Sequence, residues 1–133
     1  MNFITDNLYI IGIAIVSGIA LLVPSLQKRG ARMSSLQATQ AMNQGKSLVL
    51  DVRSAEEFAS GHIANAKNIP LPELEARLKE IEKSKTHTII TVCQSGIRSG
   101  KAVAVLNKAG FETAFSLDGG IAGWTAQNLP TIK

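Results

Sequence analysis

Two short stretches of this 133-residue chain are apolar at consecutive positions: Leu48, Val49 and Leu50 with Val52, and the HTIITV run over 87–92. A strand with one wet face alternates apolar and polar residues. A strand covered on both faces reads as these two do, which is the pattern of a parallel sheet enclosed by helices. Helical pieces are expected over 36–43, capped by Ser34 or Ser35 and stopped at Gly45, and over 55–59. Another should open with Pro72 at its first position. A fourth covers 99–109, where Ala102, Val103, Leu106 and Ala109 recur at helical spacing before Gly110. Extended stretches at 66–69 and 112–117, the turn Asp118-Gly119-Gly120 and a last short helix around Trp124 complete the alternation. Such an order specifies an α/β domain with a central, mostly parallel sheet and helices on both faces.

Residues 7–27, NLYIIGIAIVSGIALLVPSLQ, carry no charged side chain, and as a helix they reach about 30 Å, the thickness of a bilayer core. Asp6 is the only charged side chain before them, whereas Lys28, Arg29 and Arg32 follow. A cleaved signal peptide has the opposite arrangement, with positive charge ahead of its apolar run. The expectation is one N-terminal transmembrane helix in an inner (cytoplasmic) membrane, N-terminus outside and the domain in the cytoplasm by the positive-inside rule. The chain then divides into 1–33, helix and basic linker, and 34–133, the folded domain.

The formal net charge is +4, but the basic residues form no continuous stripe. Arg77, Lys79, Lys83 and Lys85 are interleaved with Glu73, Glu75, Glu80 and Glu82, as on the solvated face of a helix, and few aromatics accompany them. No nucleic-acid partner is expected. With one cysteine, Cys93, and two histidines, an internal disulfide is impossible and a Cys/His zinc site lacks ligands. Neither metal nor cofactor is expected, and a free thiol suits a reducing compartment.

Cys93 stands where the HTIITV strand ends, and in open α/β sheets ligands bind beyond the carboxyl ends of strands. The residues that follow, CQSGIRSG, make a short turn into a helix, so the N–H groups of residues 94–99 can converge on the sulfur. The helix N-terminus adds positive potential, and Gly96 permits the positive φ that a tight ring of amides requires. Both effects favour thiolate over thiol, and the thiolate is the nucleophile. No base stands near Cys93 in sequence, and a thiolate already held by dipoles needs none.

The segments LDVRSAEEF, GHIANAKNIP, TVCQSGIRSG, NKAGFETAFSLDGG and GWTAQNLP, in that order, resemble the rhodanese-like family, and the resemblance runs over 34–130. It implies a parallel-sheet α/β domain whose cysteine, here Cys93, takes up a sulfane sulfur as a persulfide and passes it to a thiophilic acceptor. Thiosulfate, a polysulfide or a small persulfide is the implied donor, and cyanide or a thiol the acceptor. Gln94, Ser95, Gly96, Ile97, Arg98 and Ser99 form the implied substrate-binding loop. Four residues separate Cys93 from Arg98, whereas phosphatases of related design place five there, a wider ring for a tetrahedral oxyanion. Arg98 either contacts substrate or braces the loop. Asp51, Arg53 and Glu57 resemble a structural ion-pair arrangement near the loop, and His62 a hydrogen-bonded structural histidine. Asn65 replaces the family's usual glycine and, like glycine, tolerates a left-handed backbone. A second reading is a membrane-tethered binding or sulfur-delivery module with little turnover, serving a membrane-protein partner.

Overall fold

The computed structural model describes residues 3–26 and 31–133, with side chains in the first segment through Gly18. A single helical turn, α1 (Phe3–Asp6), precedes the apolar helix α2 (Leu8–Leu26). Among the described residues no helix is long and apolar enough to cross a membrane, so the expected spanning helix finds no support there. The basic flank at Lys28 and Arg29 lies outside the described residues.

The domain itself is a five-stranded sheet in the order β1-β5-β4-β2-β3, parallel throughout. Its strands are β1 (Arg32–Met33), β2 (Ser47–Asp51), β3 (Lys67–Asn68), β4 (Thr88–Val92) and β5 (Ala114–Leu117). Helix α3 (Ser35–Asn43) opens with a capping box in which Ser34 and Gln37 each accept from the other's backbone N–H. After β2 comes α4 (Ala55–Ser60), after β4 the longer α5 (Ile97–Lys108), and after β5 the short α6 (Gly120–Ala126).

The alternating faces of the two central strands explain why both read as unbroken apolar runs. Leu50, Val52, Ile89 and Cys93 pack with Ala102, Val103 and Leu106 of α5, while Val49, Ile90 and Val92 pack on the other side with Ala38, Ile121 and Trp124. Because side chains alternate along a strand, Cys93 emerges on the α5 side of the sheet, two residues beyond Thr91. Asn65 has φ 65°, in the left-handed region.

Two local expectations change. Arg32 and Met33, read as linker, form the edge strand beside Ser116 and Leu117. The segment after Pro70 is not an α-helix but two 3₁₀ stretches, Leu71–Glu73 and Glu75–Ser84. In a 3₁₀ helix residues i and i+3 share a face, and the apolar side chains here, Leu71 with Leu74 and Leu78 with Ile81, keep that spacing against the core. Outward, Arg77 pairs with Glu73 and Glu80, and Lys67 reaches Glu80, so the interleaved charges are a solvated surface.

Candidate active site

Cys93 leaves β4 at its carboxyl end and is only 1% exposed. Its Sγ accepts the Gly96 N–H at 2.9 Å and lies 3.4 Å from Ser99 Oγ. Gly96 is the residue before α5, with φ 116° and no side-chain cap, so the helix starts with its amides turned to the sulfur. Burial pushes the Cys93 thiol up, but the Ser99 hydroxyl and the amides of Ser99, Gly96 and Ser95 outweigh it. The result is a pKa below the ordinary thiol value. Stabilisation by fixed N–H groups in a water-poor site costs no reorganisation when charge forms.

The loop is held from three sides. Thr91 Oγ1 lies 3.0 Å from Ser99 O and 3.1 Å from Phe115 O, its one hydrogen shared between the two carbonyls, which ties the first turn of α5 to β5. On the opposite side the first turn of α6 donates Ile121 N–H to Cys93 O at 2.8 Å and Ala122 N–H to Gln94 O at 3.1 Å. That docking brings Gly120 so close that a Cβ there would lie 2.4 Å from Cys93 O and 2.7 Å from Gln94 C. Only glycine fits, at φ +59°. The third support is Arg98, whose two terminal nitrogens grip Glu57 at 2.7 and 2.9 Å.

The sequence-predicted residues thus separate into groups. Gln94, Ser95 and Ile97 are exposed on the loop, Gly96 and Arg98 half-buried, and Ser99 buried beneath it. Asp51, Arg53 and Glu57 do not form one arrangement. Asp51 and Arg53 close on each other, with Arg53 Nε 3.0 Å and Nη2 2.8 Å from the carboxylate and Nη2 also 2.7 Å from Gly61 O. Asn68 donates its side-chain amide to the carbonyls of Asp51 and Arg53 at 3.1 and 2.9 Å. Glu57 instead serves Arg98 and, within α4, accepts from Ser54, which holds its carboxyl down to about 2, Arg98 being the largest cause. Glu57 in turn raises Arg98. His62 stacks on Phe58, places Nδ1 2.8 Å from Phe58 O, and exchanges backbone hydrogen bonds with Ile132. Among the described residues no three His, Cys, Asp or Glu side chains converge as a metal site.

Two supports escaped the sequence reading. Gly120 was visible only as half of a Gly-Gly turn, and nothing local tells that a distant loop rests on it. Ser116, whose Oγ lies 2.6 Å from Ser99 Oγ, is a buried hydroxyl in the strand AFSL; a small polar residue in a covered strand was the available signal.

Residues 34–127 match the family model described as the rhodanese-like domain. The YibN protein of Escherichia coli K12 is 33% identical over 119 residues, which cover 86% of this chain and 83% of YibN. A protein named sulfurtransferase in Allochromatium vinosum is 34% identical over 85 residues, 64% of this chain and 78% of its own length. Among solved structures, a rhodanese-related protein from Thermoplasma volcanium superposes with a TM-score of 0.69 at 29% identity, covering 77% of this chain and 97% of that one. By sequence and by fold, the chain belongs to the rhodanese-like domain family.

Proposed function

We propose that this protein is a sulfurtransferase in which Cys93 carries a sulfane sulfur between a donor and a thiophilic acceptor. The observation that carries the reading is the Gly96 N–H, 2.9 Å from a buried Cys93 Sγ whose pKa is lowered. With thiosulfate, the thiolate attacks the outer sulfur, the donor's S–S bond breaks, and sulfite leaves with the electron pair. The amides that held the thiolate then face the persulfide anion. Cyanide or a thiolate attacks the outer sulfur in the second half-reaction and returns Cys93 to its thiolate, so no oxidant, metal or cofactor enters the balance. At 1% exposure the cysteine admits a slender terminal sulfur more readily than a bulky phosphate ester. The name of the Allochromatium vinosum relative supports the same class of reaction.

Mass spectrometry of the protein after incubation with thiosulfate tests this. The expected result is an adduct of about 32 Da on Cys93, removed by cyanide and missing in Cys93→Ser. No adduct on the wild type, or one retained by Cys93→Ser, overturns the reading. A delivery module with little turnover would instead form the adduct and release it only to a protein acceptor.

Attachment to a membrane through α2 belongs to the same proposal. Its support is the absence of charge over residues 7–27 and the exposure of Ile10, Ile13 and Val16. Recovery of the full chain in alkali-washed membranes, with a reporter after Lys133 active in the cytoplasm, is the expected outcome. A fully extractable chain contradicts the attachment, and a reporter active only outside reverses the orientation.

A further inference from the structure

Ser99 has one hydroxyl hydrogen and three neighbours able to take it: Gly96 O at 3.1 Å, Ser116 Oγ at 2.6 Å and Cys93 Sγ at 3.4 Å. A hydroxyl donates once and accepts twice, so the direction of the short Ser99–Ser116 contact decides what remains for the sulfur. If Ser99 donates to Ser116, it has nothing to offer a thiolate. If Ser116 donates to Ser99, the Ser99 hydrogen is free for the sulfur. Ser116 is 3% exposed, and among the described residues its hydroxyl has Ser99 as its one partner. Its backbone is fixed in β5, between β1 and β4, with its N–H on Ala31 O at 2.8 Å.

We propose that Ser116 is a positioning residue for Cys93: its hydroxyl donates to Ser99 Oγ and thereby directs the Ser99 hydrogen to the thiolate. In the thiol form the S–H donates to Ser99, a weak bond, while the Ser99 hydrogen rests on Gly96 O. On ionisation the thiol proton leaves to solvent and the Ser99 hydrogen swings from Gly96 O to Sγ, while Ser116 continues to donate. A hydroxyl that accepts one hydrogen bond donates a stronger one, so the chain Ser116–Ser99–Sγ favours the ionised sulfur. The inference rests on the persulfide reading of Cys93 only for its bearing on turnover.

The charged groups around this chain are paired with partners other than Ser116. Arg98 of α5, which feels the Cys93 charge, is paired with Glu57 of α4. Asp51 and Arg53 are joined at the end of β2. Arg32 and Asp118 line, with Ser116, Ser95 and Gly96, a cleft of about 130 Å³ beside the loop, and they stand 3.8 Å apart on the surface.

The test follows the ultraviolet thiolate absorbance of the full chain against pH, together with its rate of persulfide formation from thiosulfate. Ser116→Ala should raise the titration midpoint by about half a pH unit and slow persulfide formation about threefold below that midpoint, with the alkaline plateau rate preserved. Ser116→Thr, which keeps a hydroxyl, should restore both. In a Ser99→Ala background Ser116→Ala should add nothing to the shift, because the effect passes through Ser99. An unchanged midpoint in Ser116→Ala, equal shifts in the Ala and Thr variants, or a full shift without Ser99 overturns the proposal. A wild type that takes up no sulfur ends the persulfide reading, and the absorbance titration still decides the role of Ser116.

Discussion

Two neighbouring strands of this sheet end in the same kind of corner, a few residues turning from a parallel strand into a helix, yet the corners close differently. After β2, the start of α4 is satisfied by side chains: Ser54 Oγ accepts the Glu57 N–H at 3.2 Å and Glu57 reaches back to the Ser54 N–H at 3.3 Å. The charge there, Asp51 with Arg53, is neutralised internally and buried. After β4, no side chain caps α5, and the Gly96 amide turns to Cys93 Sγ. One corner uses its helix start to hold itself together; the other leaves its helix start for a sulfur that must ionise. Both obey the requirement that buried polar groups find partners, and what differs is whether the partner is permanent or reactive.

The sharpest way to break this contrast is to remove one member of the neutralised pair. Asp51→Ala leaves Arg53 buried and uncompensated, and chemical denaturation should show a loss of about 3–5 kcal/mol. Cys93→Ala at the other corner removes one small buried atom and should cost about 1 kcal/mol. Comparable losses from the two would mean that both corners are structural. Gly120→Ala comes next. The added methyl cannot fit beside Cys93 O without moving the backbone, so a stability loss of about 1–3 kcal/mol should accompany a large drop in persulfide formation. Normal sulfur uptake by a folded Gly120→Ala protein would show that the α6 contact does not position the loop.

The smallest effect concerns Glu57, which links the two corners through Arg98. Its carboxyl sits at about 2 in the folded protein against a reference of 4.5, so its charge favours the folded state above about pH 4.5. That contribution is lost as pH falls from 4.5 toward 2. Denaturation at a series of pH values should give a shallower acid decline for Glu57→Gln than for the wild type, modest because the pair is partly exposed to solvent. Identical declines would remove Glu57 as the link.

The layout of the domain was legible because it is written in local patterns. Unbroken apolar runs gave both central strands, a capping serine and Gly45 bounded α3, and the cysteine at the end of the second run fell where the sheet delivers it. Less local features were hidden. Arg32 and Met33 become a strand only because β5 offers them an edge, and two basic or flexible side chains carry no strand signal. The 3₁₀ winding of Glu75–Ser84 sets Leu78 and Ile81 on one face against the core, a contact that the local sequence does not announce. At the site, the LDVR segment suggested a cluster of three charged groups, but the turn of α4 sends Glu57 to a partner 41 positions away, Arg98. Ser116 and Gly120 matter only through contacts with a loop from another strand, and such contacts have no period in sequence.

The central claim is that main-chain amides and one hydroxyl lower the Cys93 pKa in spite of burial. Alkylation of the single cysteine by iodoacetamide, followed against pH in the native chain and in the same chain unfolded in denaturant, measures this directly through the two midpoints. The account predicts a native midpoint below the unfolded one. A native midpoint equal to the unfolded value or above it would contradict the account, because burial would then outweigh every hydrogen bond the loop supplies.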